Sequence, residues 1–194
     1  MGAGKTSPTA TLFAENTRDS LYSQTILDPV ANKNISRFQN IERIETRGVE
    51  IAYSGTNVLV RNLDVNASVI CADSIIKENS GFVVILGDTI GKWQPNIPKW
   101  RAAALASFQL NPAWGATVGA RYSGVLYRTL NNAHVNGFTY QGARKFFTAD
   151  VRVGWKINKT VTAAVGIDNV NNYQYWNFHP YPQRSYQAHL LADF

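Results

Sequence analysis

Polar and apolar residues alternate along most of this chain with a period of two, the period of a β-strand that has one apolar and one polar face. The clearest case lies between Phe147 and Lys156, where one set of alternate residues is apolar and the other includes Thr148, Asp150 and Arg152. No window has a convincing helical period. The pattern therefore predicts an all-β protein whose strands are apolar on one face only.

The alternation and the turn residues between segments predict about eight strands. These strands cover residues 10–27, 38–53, 58–76, 100–110, 114–128, 145–156, 161–169 and 185–194. Tight turns are predicted at 54–57, 111–112 and 158–159, and long connections at 28–37, 77–99, 130–144 and 170–184. Short and long connections alternate, which is typical of antiparallel up-and-down transmembrane β-barrels. Residues 1–9 are expected to be a flexible start, and residues 10–194 a single β-barrel segment.

Charged side chains keep to one face of the predicted strands. The charges that share the polar phase are Asp64, Arg101, Arg121, Asp150, Arg152 and Asp168. An Arg or Lys that faces lipid near the bilayer midplane costs ~2–4 kcal/mol. This sorting favours a membrane barrel with lipid against the apolar face.

The second predicted strand has one exception to this sorting. Arg47 shares the phase of Val49 and Ile51 and should therefore face outward. Either a bulge at Gly48 shifts the phase, or Arg47 lies above the hydrocarbon. The phase of the first strand does not follow from its sequence.

The amino-acid composition further restricts the class of protein to which the chain can belong. Hydrophobic residues make up 45% of the chain and charged residues 16%, below the usual quarter. The longest apolar run, 82–86, is far shorter than the ~18 residues of a spanning helix.

The single Cys71 excludes an internal disulfide and a cysteine-based zinc site. The basic residues behind the net charge of +6 are scattered, which argues against nucleic acid and favours lipopolysaccharide or an anionic ligand.

The chain ends on an alternating segment. Its apolar phase consists of Tyr186, Ala188, Leu190, Ala192 and Phe194. A free edge strand of this kind is an aggregation risk, whereas closure into a barrel removes the edge. The ending resembles the last strand of a bacterial outer-membrane barrel. The resemblance implies that this phase, with the terminal Phe194, is an assembly signal for the barrel insertion machinery.

Four further segments carry a resemblance to one family. Residues 38–51 contain Asn40, Gly48, Val49 and Glu50; residues 95–98 read Pro-Asn-Ile-Pro; residues 166–175 read Gly-Ile-Asp-Asn-Val-Asn-Asn-Tyr-Gln-Tyr; residues 182–184 read Pro-Gln-Arg. In this order they resemble the N…GVEL, PxxP, GxDNLF…Y and PGR motifs of the TonB-dependent receptors, the gated transporters of the outer membrane. Asn171 replaces an apolar residue of the family pattern, and Gln183 replaces a Gly.

The resemblance implies a function as well as a fold. It identifies the chain as the C-terminal part of a 22-stranded receptor barrel in the bacterial outer membrane. The receptor would take up a metal chelate such as a ferric siderophore. The plug domain, through which the energy-coupling protein TonB acts, is missing from this sequence, so the chain is not expected to transport alone. The expected surroundings are outer-membrane lipid and lipopolysaccharide.

Candidate ligand contacts lie in the last long connection. These residues are Tyr175, Trp176, His179, Tyr181 and Arg184. In the resemblance this is an extracellular loop, and its aromatic and basic side chains suit a flat anionic chelate through stacking and charge. The alternative is an aromatic belt at the membrane interface with ordinary loop packing.

Charges inside the barrel are the second candidate set: Arg121, Asp150, Arg152 and Asp168. The two arginines either add a positive field to the lumen or pair with the two aspartates. His134, His179 and His189 are widely separated in sequence, and no catalytic, metal or cofactor constellation is visible. The chain is therefore not expected to be an enzyme.

Two other architectures fit parts of the pattern. A self-contained eight-stranded barrel with a structural or adhesive role is possible in principle, because eight strands can close alone. Its narrow bore must be filled by side chains, and the inner face here is rich in small residues. A soluble lipocalin-like carrier would instead bury the apolar face inside and leave the charged face in water.

Overall fold

The fold is a single antiparallel sheet of eight long strands. The computed structural model describes residues 4–28, 30–80, 89–133, 137–140 and 142–193. The sheet strands are β1 (Lys5–Asp28), β2 (Lys33–Thr56), β3 (Leu63–Glu78), β4 (Trp100–Gln109), β5 (Trp114–Ser123), β6 (Phe146–Lys156), β7 (Val161–Asp168) and β10 (Ser185–Ala192). A small separate hairpin consists of β8 (Trp176–Asn177) and β9 (His179–Pro180). Among the described residues, no helix is long and apolar enough to cross a membrane.

Sheet neighbours follow chain order, so the topology is up-and-down as predicted. The order is β1-β2-β3-β4-β5-β6-β7-β10, and every pair is antiparallel. Within the described residues, β1 pairs only with β2 and β10 pairs only with β7, so the sheet is open. A closed barrel of eight strands would require pairs between β1 and β10.

The two ends of the sheet differ in their connections. We call the end with the connections 79–99, 124–145 and 169–184 the loop end. The other end, with the connections 57–62, 110–113 and 157–160, is the turn end. This alternation of short and long connections confirms the predicted arrangement, apart from the first hairpin.

The first hairpin is longer than predicted. β1 begins at Lys5, so the expected flexible start is strand from that residue onward. β1 reaches Asp28 and β2 begins at Lys33, so both strands extend into the predicted loop 28–37. Ile26 pairs with Ile35, and the connection is reduced to residues 29–32. Asn32 has a φ of 47°, a left-handed conformation that Asn tolerates better than most residues, which permits the tight reversal.

The connection between β2 and β3 also differs from the prediction. The turn was expected at 54–57, but β2 continues to Thr56 and the reversal occupies 57–62. Asn57 and Asn62 both have positive φ values, of 53° and 66°. The Asn57 side-chain oxygen accepts a hydrogen bond from the Asn62 amide at 2.7 Å, and this bond closes the wider turn.

The register places apolar residues opposite one another across the whole sheet. Val65 pairs with Ala106, Ala106 with Val118, and Val118 with Val151. This apolar face is exposed: Val165 is 59% exposed and Leu190 73%. Exposed apolar surface of this extent marks an interaction with lipid or protein, so the face needs an apolar environment.

Arg47 lies in the apolar phase without a bulge at Gly48. The pairing of β2 with β3 is continuous from Ile44 to Gly55, and the register of this pair shifts between Arg43 and Ile44. The bulge alternative is therefore wrong. Arg47 is opposite Asp73. This pair lies two residues closer to the loop end than the pair of Val49 with Cys71, at the border of the apolar face.

The pairing also assigns the faces of β1. Leu12 pairs with Val49 and belongs to the apolar face, whereas Phe13 pairs with Gly48 and belongs to the polar face. The Phe13 ring lies directly over Gly48, where a Cβ atom would also come within 2.5 Å of the Cys71 carbonyl oxygen. Gly48 therefore allows an aromatic ring to lie flat on the polar face.

Gly48→Ala is expected to destabilise the β1–β2–β3 segment by about 1–3 kcal/mol, the usual cost of overpacking. The Cys71 carbonyl is held in a strand and has little room to move. Gly154→Ala is the matched control, because a Cβ atom there meets nothing within 4 Å. The measurement is the denaturant midpoint of the membrane-inserted protein. Equal midpoints for the two variants would contradict this account of Gly48.

A small buried cluster lies at the loop end, on the polar face. It consists of Ile41, Ile44, Ile76 and Leu130, with Tyr22 packed against it. Ile44 and Ile76 pair across β2 and β3, and Leu130 comes from the connection between β5 and β6. This connection therefore folds inward over the polar face and narrows the space inside the sheet at its loop end.

Tryptophans mark the turn end. Trp114 and Trp155 pair across β5 and β6, and their rings stack with centroids 5.3 Å apart and planes 4° apart. Both are about two-fifths exposed on the apolar face. Aromatic side chains at this level are typical of the interfacial girdle of a membrane barrel.

Candidate functional site

Two of the long connections join each other at the loop end. The Arg144 amide donates a hydrogen bond to the Trp176 carbonyl at 3.1 Å, and the Phe178 amide donates to the Gly142 carbonyl at 2.8 Å. Ala143 and Asn177 form an isolated β-bridge between them. The β8–β9 hairpin is thereby fixed against the connection that follows β5.

An aromatic and basic cluster forms where these connections meet. We define the aromatic–basic cluster as Arg128, Tyr140, Phe178 and His179. The Phe178 ring lies 5.1 Å from Tyr140 and 4.8 Å from His179, and the Arg128 guanidinium carbon lies 5.4 Å from the Phe178 centroid. Arg128 also donates a 2.7 Å hydrogen bond to the Asn96 side chain, which holds the guanidinium in place.

The cluster presents stacking surface and positive charge together. Tyr140 is 59% exposed, His179 is exposed, and Arg128 is partly exposed. Beside the cluster, the Arg144 guanidinium lies 3.9 Å from the Phe138 ring centroid. Arginine binds carboxylates and phosphates bidentately and stacks on aromatic planes. The arrangement is therefore suited to a flat anionic ligand.

Tyr175 is the buried anchor of the last long connection. It is only 5% exposed, and its ring stacks between Phe146, at 4.3 Å, and Tyr181, at 4.7 Å. Burial raises the pKa of the Tyr175 hydroxyl above its ordinary value, while the charge of Arg121 lowers it. The phenol therefore remains neutral at physiological pH, and the ring acts as a packing element.

Asn169 fastens the start of the same connection. Its side chain donates to the Tyr173 carbonyl at 2.9 Å and accepts from the Tyr173 amide at 2.9 Å. Its own amide donates to Asp150 at 2.8 Å. Asn169 is 4% exposed and has a φ of 51°. The GxDN segment therefore builds a closed turn that attaches the connection to β6.

Arg184 fastens the other end of this connection. Its guanidinium donates two hydrogen bonds to the Val170 carbonyl, at 3.1 and 2.7 Å, and its amide donates to Asn172 at 3.1 Å. These contacts explain why an arginine follows the Pro182-Gln183 pair. In this structure Arg184 holds the two ends of the connection together.

Four of the charges on the polar face form two ion pairs. Arg121 contacts Asp150 at 3.1 Å, and Arg152 contacts Asp168 at 3.5 Å. Arg152 also donates to Gln187 at 3.1 Å, and Gln187 hydrogen-bonds Asp168. Of the two predicted alternatives, the geometry matches pairing, which leaves little net positive field from these residues.

The predicted ligand contacts therefore occupy four different positions. His179 belongs to the aromatic–basic cluster. Tyr175 is the buried centre of the aromatic stack, and Tyr181, which is 45% exposed, is its outer ring. Arg184 holds the two ends of the connection together. Trp176 lies in β8, where its carbonyl accepts from the Arg144 amide. Arg128, Tyr140 and Phe178 were not among the predicted contacts, because the pairing of the two connections has no local sequence signal.

The predicted assembly signal falls at the edge of the sheet. Tyr186 and Leu190 in β10 are 74% and 73% exposed on the apolar face, with Ala188 and Ala192 in the same phase. Phe194 lies outside the described residues. In the described part of the chain, no group of three or more His, Cys, Asp and Glu side chains is placed to hold a metal ion.

Comparison with known families gives one match that covers most of the chain. The sequence model of a family described as TonB dependent receptor-like, beta-barrel, matches residues 4–170. No curated protein sequence matches the chain.

Solved structures with the same fold include a siderophore receptor, PiuA, from Acinetobacter baumannii, with a TM-score of 0.69 and 19% identity over 96% of this chain. The ferric-catecholate import receptor Fiu from E. coli K12 has a TM-score of 0.70 and 16% identity over 97% of the chain. BauA, the ferric preacinetobactin receptor of A. baumannii, has a TM-score of 0.70 and 18% identity, also over 97%. The chain spans about a quarter of the length of these structures, 25–27%. At these identities the likeness shows the fold.

Proposed function

Because this chain belongs to the TonB-dependent receptor-like β-barrel family, we propose that it forms the C-terminal part of the barrel wall of an outer-membrane receptor. The receptor takes up a metal chelate such as a ferric siderophore. The loop end faces the outside of the cell and the turn end faces the periplasm. The open sheet supports a wall segment, because both of its edges need further strands to close a barrel.

The observation that carries the ligand class is the aromatic–basic cluster at the loop end. Ferric catecholates are anionic and carry planar aromatic rings around the metal, so stacking and positive charge together suit them. The solved relatives include receptors described for ferric catecholate and for ferric preacinetobactin. They also include a copper transporter, OprC, with a TM-score of 0.69 and 14% identity over 98% of this chain. The class of cargo is therefore proposed from the cluster and its chemistry.

The mechanism assigned to this chain is binding and enclosure, without covalent chemistry. The aromatic–basic cluster holds the chelate at the loop end, and the paired charges of the polar face line the space beneath it. Energy-dependent release is assigned to a plug and its contact with TonB, whereas the strands described here form barrel wall. The chain by itself is therefore proposed to lack transport activity.

Arg128→Ala is expected to weaken binding of the ferric chelate by roughly tenfold to a hundredfold, because one charge-assisted contact to an anion is worth about 1.5–3 kcal/mol. The measurement is quenching of tryptophan fluorescence in the complete receptor, titrated with a panel of ferric catecholate and ferric hydroxamate complexes. Arg61→Ala is the matched control, since Arg61 is an exposed arginine in the turn between β2 and β3.

The proposal fails if no ferric chelate in the panel binds the complete receptor. It also fails if the Arg128 and Arg61 variants bind the chelate equally well. Binding of copper in preference to every ferric complex would replace the siderophore class with a copper cargo.

A further inference from the structure

The cation of the aromatic–basic cluster lies where two loop-end connections are joined. Arg128 belongs to the connection 124–145, and its partner Asn96 belongs to the connection 79–99. The Asn96 side-chain oxygen accepts a 2.7 Å hydrogen bond from the Arg128 guanidinium, and the Asn96 amide donates to the Tyr127 carbonyl at 2.9 Å. The position of the guanidinium therefore depends on how the two connections hold each other.

Asn96 is presented to Arg128 from a segment with little backbone freedom. It has a φ of 66°, in the left-handed region that Asn tolerates better than most residues. Pro95 precedes it, Pro98 follows two residues later, and both prolines are buried. The proline ring fixes φ at each of these positions. The direction of the Asn96 side chain is therefore set largely by its own segment.

Asn132 forms a second joint between the same two connections. Its side-chain oxygen accepts from the Trp93 amide at 2.8 Å, and its side-chain nitrogen donates to the Trp93 carbonyl at 2.9 Å. One side chain thus pairs with both backbone groups of a residue in the other connection. Trp93 is three residues before Asn96, so this joint fixes the segment that carries Asn96.

The turn that contains Asn132 is anchored to the sheet. The Asn132 amide donates to the Thr129 carbonyl at 3.0 Å, which closes a turn over residues 129–132. Within this turn the Leu130 side chain is 2% exposed, because it packs in the buried cluster of the loop end. Arg128 immediately precedes the turn, so its backbone is fixed by a side chain that is buried against the sheet.

A fixed guanidinium distinguishes ligands by charge. The bond to Asn96 uses one of the five N–H donors of Arg128, so the guanidinium can contact an anion while Asn96 holds it. Ferric tris-catecholates are anionic, whereas ferric tris-hydroxamates are neutral. Charge-assisted hydrogen bonds depend on distance and angle, but the rings of Tyr140 and Phe178 offer stacking surface to either ligand. A displaced guanidinium would therefore cost the anionic chelate more than the neutral one.

We propose that Asn132 is a positioning residue: through Trp93 and Asn96 it holds Arg128 where the guanidinium makes the site prefer anionic over neutral ferric chelates. This role requires no contact between Asn132 and the ligand, because the Asn132 side chain acts on Trp93. A cation that is already in place also lowers the ordering cost of binding. The inference rests on the proposed function and deepens it, since it assigns selection by charge to a joint between two connections.

The test compares the affinities of the complete receptor for an anionic ferric tris-catecholate and a neutral ferric tris-hydroxamate, titrated by quenching of tryptophan fluorescence. The charge preference is the ratio of the two affinities. Asn132→Gly removes the side chain, and glycine adopts the φ of 57° at this position without strain. We expect this variant to lower the charge preference by about fivefold, the effect of one typical hydrogen bond. Its affinity for the neutral chelate should stay close to that of the unmodified receptor.

A double-mutant cycle tests whether Asn132 acts through Arg128. Because Arg128→Ala removes the charge, Asn132→Gly should change the preference no further in the Arg128→Ala background. Asn62→Gly is the matched control, since Asn62 also has a positive φ, of 66°, and lies at the turn end of the sheet. If Asn132→Gly does not fold, Asn96→Gly replaces it in the cycle, because Asn96 is exposed and contacts Arg128 directly.

The proposal is overturned if the unmodified receptor has no charge preference or if Asn132→Gly retains the preference in full. Equal weakening of both chelates would show that Asn132 has a general structural role, and a further loss of preference in the Arg128→Ala background would show that it acts by another route. Each of these results leaves the proposed function intact, because the unmodified receptor still binds a ferric chelate. Binding of neither chelate would remove the proposed function and this inference together.

Discussion

Ala106→Arg is expected to reduce the folded, membrane-inserted fraction of the receptor severely, whereas Leu105→Arg, one residue away, is not. Ala106 lies at the centre of the apolar face, opposite Val65 and Val118. Arginine at a lipid-facing position near the midplane costs about 2–4 kcal/mol, or roughly 30-fold to several hundredfold in the folding equilibrium.

Leu105 is the matched control because its side chain lies on the polar face. It is opposite Asn66 and Gly119, and it is 45% exposed. An arginine there enters the interior of the barrel, where water and Asp150 surround the polar face. The measurement is the protease-resistant fraction of each variant in isolated outer membranes. Equal losses in both variants would contradict the assignment of the two faces.

Tyr175→Ala is expected to release the last long connection from the sheet. The substitution removes a ring that is 5% exposed and stacked on Phe146 and Tyr181. Truncation of a buried aromatic side chain to alanine costs about 3–5 kcal/mol. Because this packing is local, the cost should appear as local opening, with amide exchange of residues 170–184 faster by roughly a hundredfold or more.

Two control variants are measured beside Tyr175→Ala. Tyr175→Phe keeps the stacked ring and should leave the exchange rates near those of the unmodified protein. Trp100→Ala removes a ring that is 47% exposed at the loop end of β4 and should not loosen the connection. The measurement is hydrogen–deuterium exchange with mass spectrometry. Unchanged exchange of residues 170–184 in Tyr175→Ala would show that the stack does not hold this connection.

The faces of the sheet were predictable because strand geometry is periodic. A two-residue period fixes which side chains share a face, so the phase of Val151, Arg152 and Asp168 followed from sequence alone. The order of the strands also followed, since short turns force neighbouring strands to pair. The 45% hydrophobic and 16% charged composition then favoured lipid on one side.

The ends of the strands were less predictable because alternation fades there. Residues 28–37 have the polar and turn-forming composition of a loop, yet backbone pairing continues to Asp28 and Lys33. The phase of β1 could not be predicted from its sequence, because two adjacent apolar residues lie on opposite faces: Leu12 on the apolar face and Phe13 on the polar face. The Phe13 position became clear only from its contact with Gly48, a residue on another strand.

The candidate site was predicted only in part because its contacts are long-range. The aromatic composition of residues 173–181 marked one of the two connections that form the aromatic–basic cluster, and His179 lies in that cluster. The other half of the cluster, Arg128 and Tyr140, comes from a different connection that pairs with β8. Local periodicity carries no information about which loops meet. The role of Arg184 was likewise visible only from its bonds to Val170.

The most direct test of the central claim is an accessibility scan of β5 by electron paramagnetic resonance. Spin labels are placed in turn at residues 116–121 of the complete receptor in a lipid bilayer, with Cys71 replaced. The account predicts alternation: Ala116, Val118 and Ala120 are accessible to oxygen dissolved in lipid, while Thr117, Gly119 and Arg121 are accessible to a water-soluble nickel chelate. Absence of alternation, or the reverse alternation, would contradict a barrel wall with lipid on its apolar face.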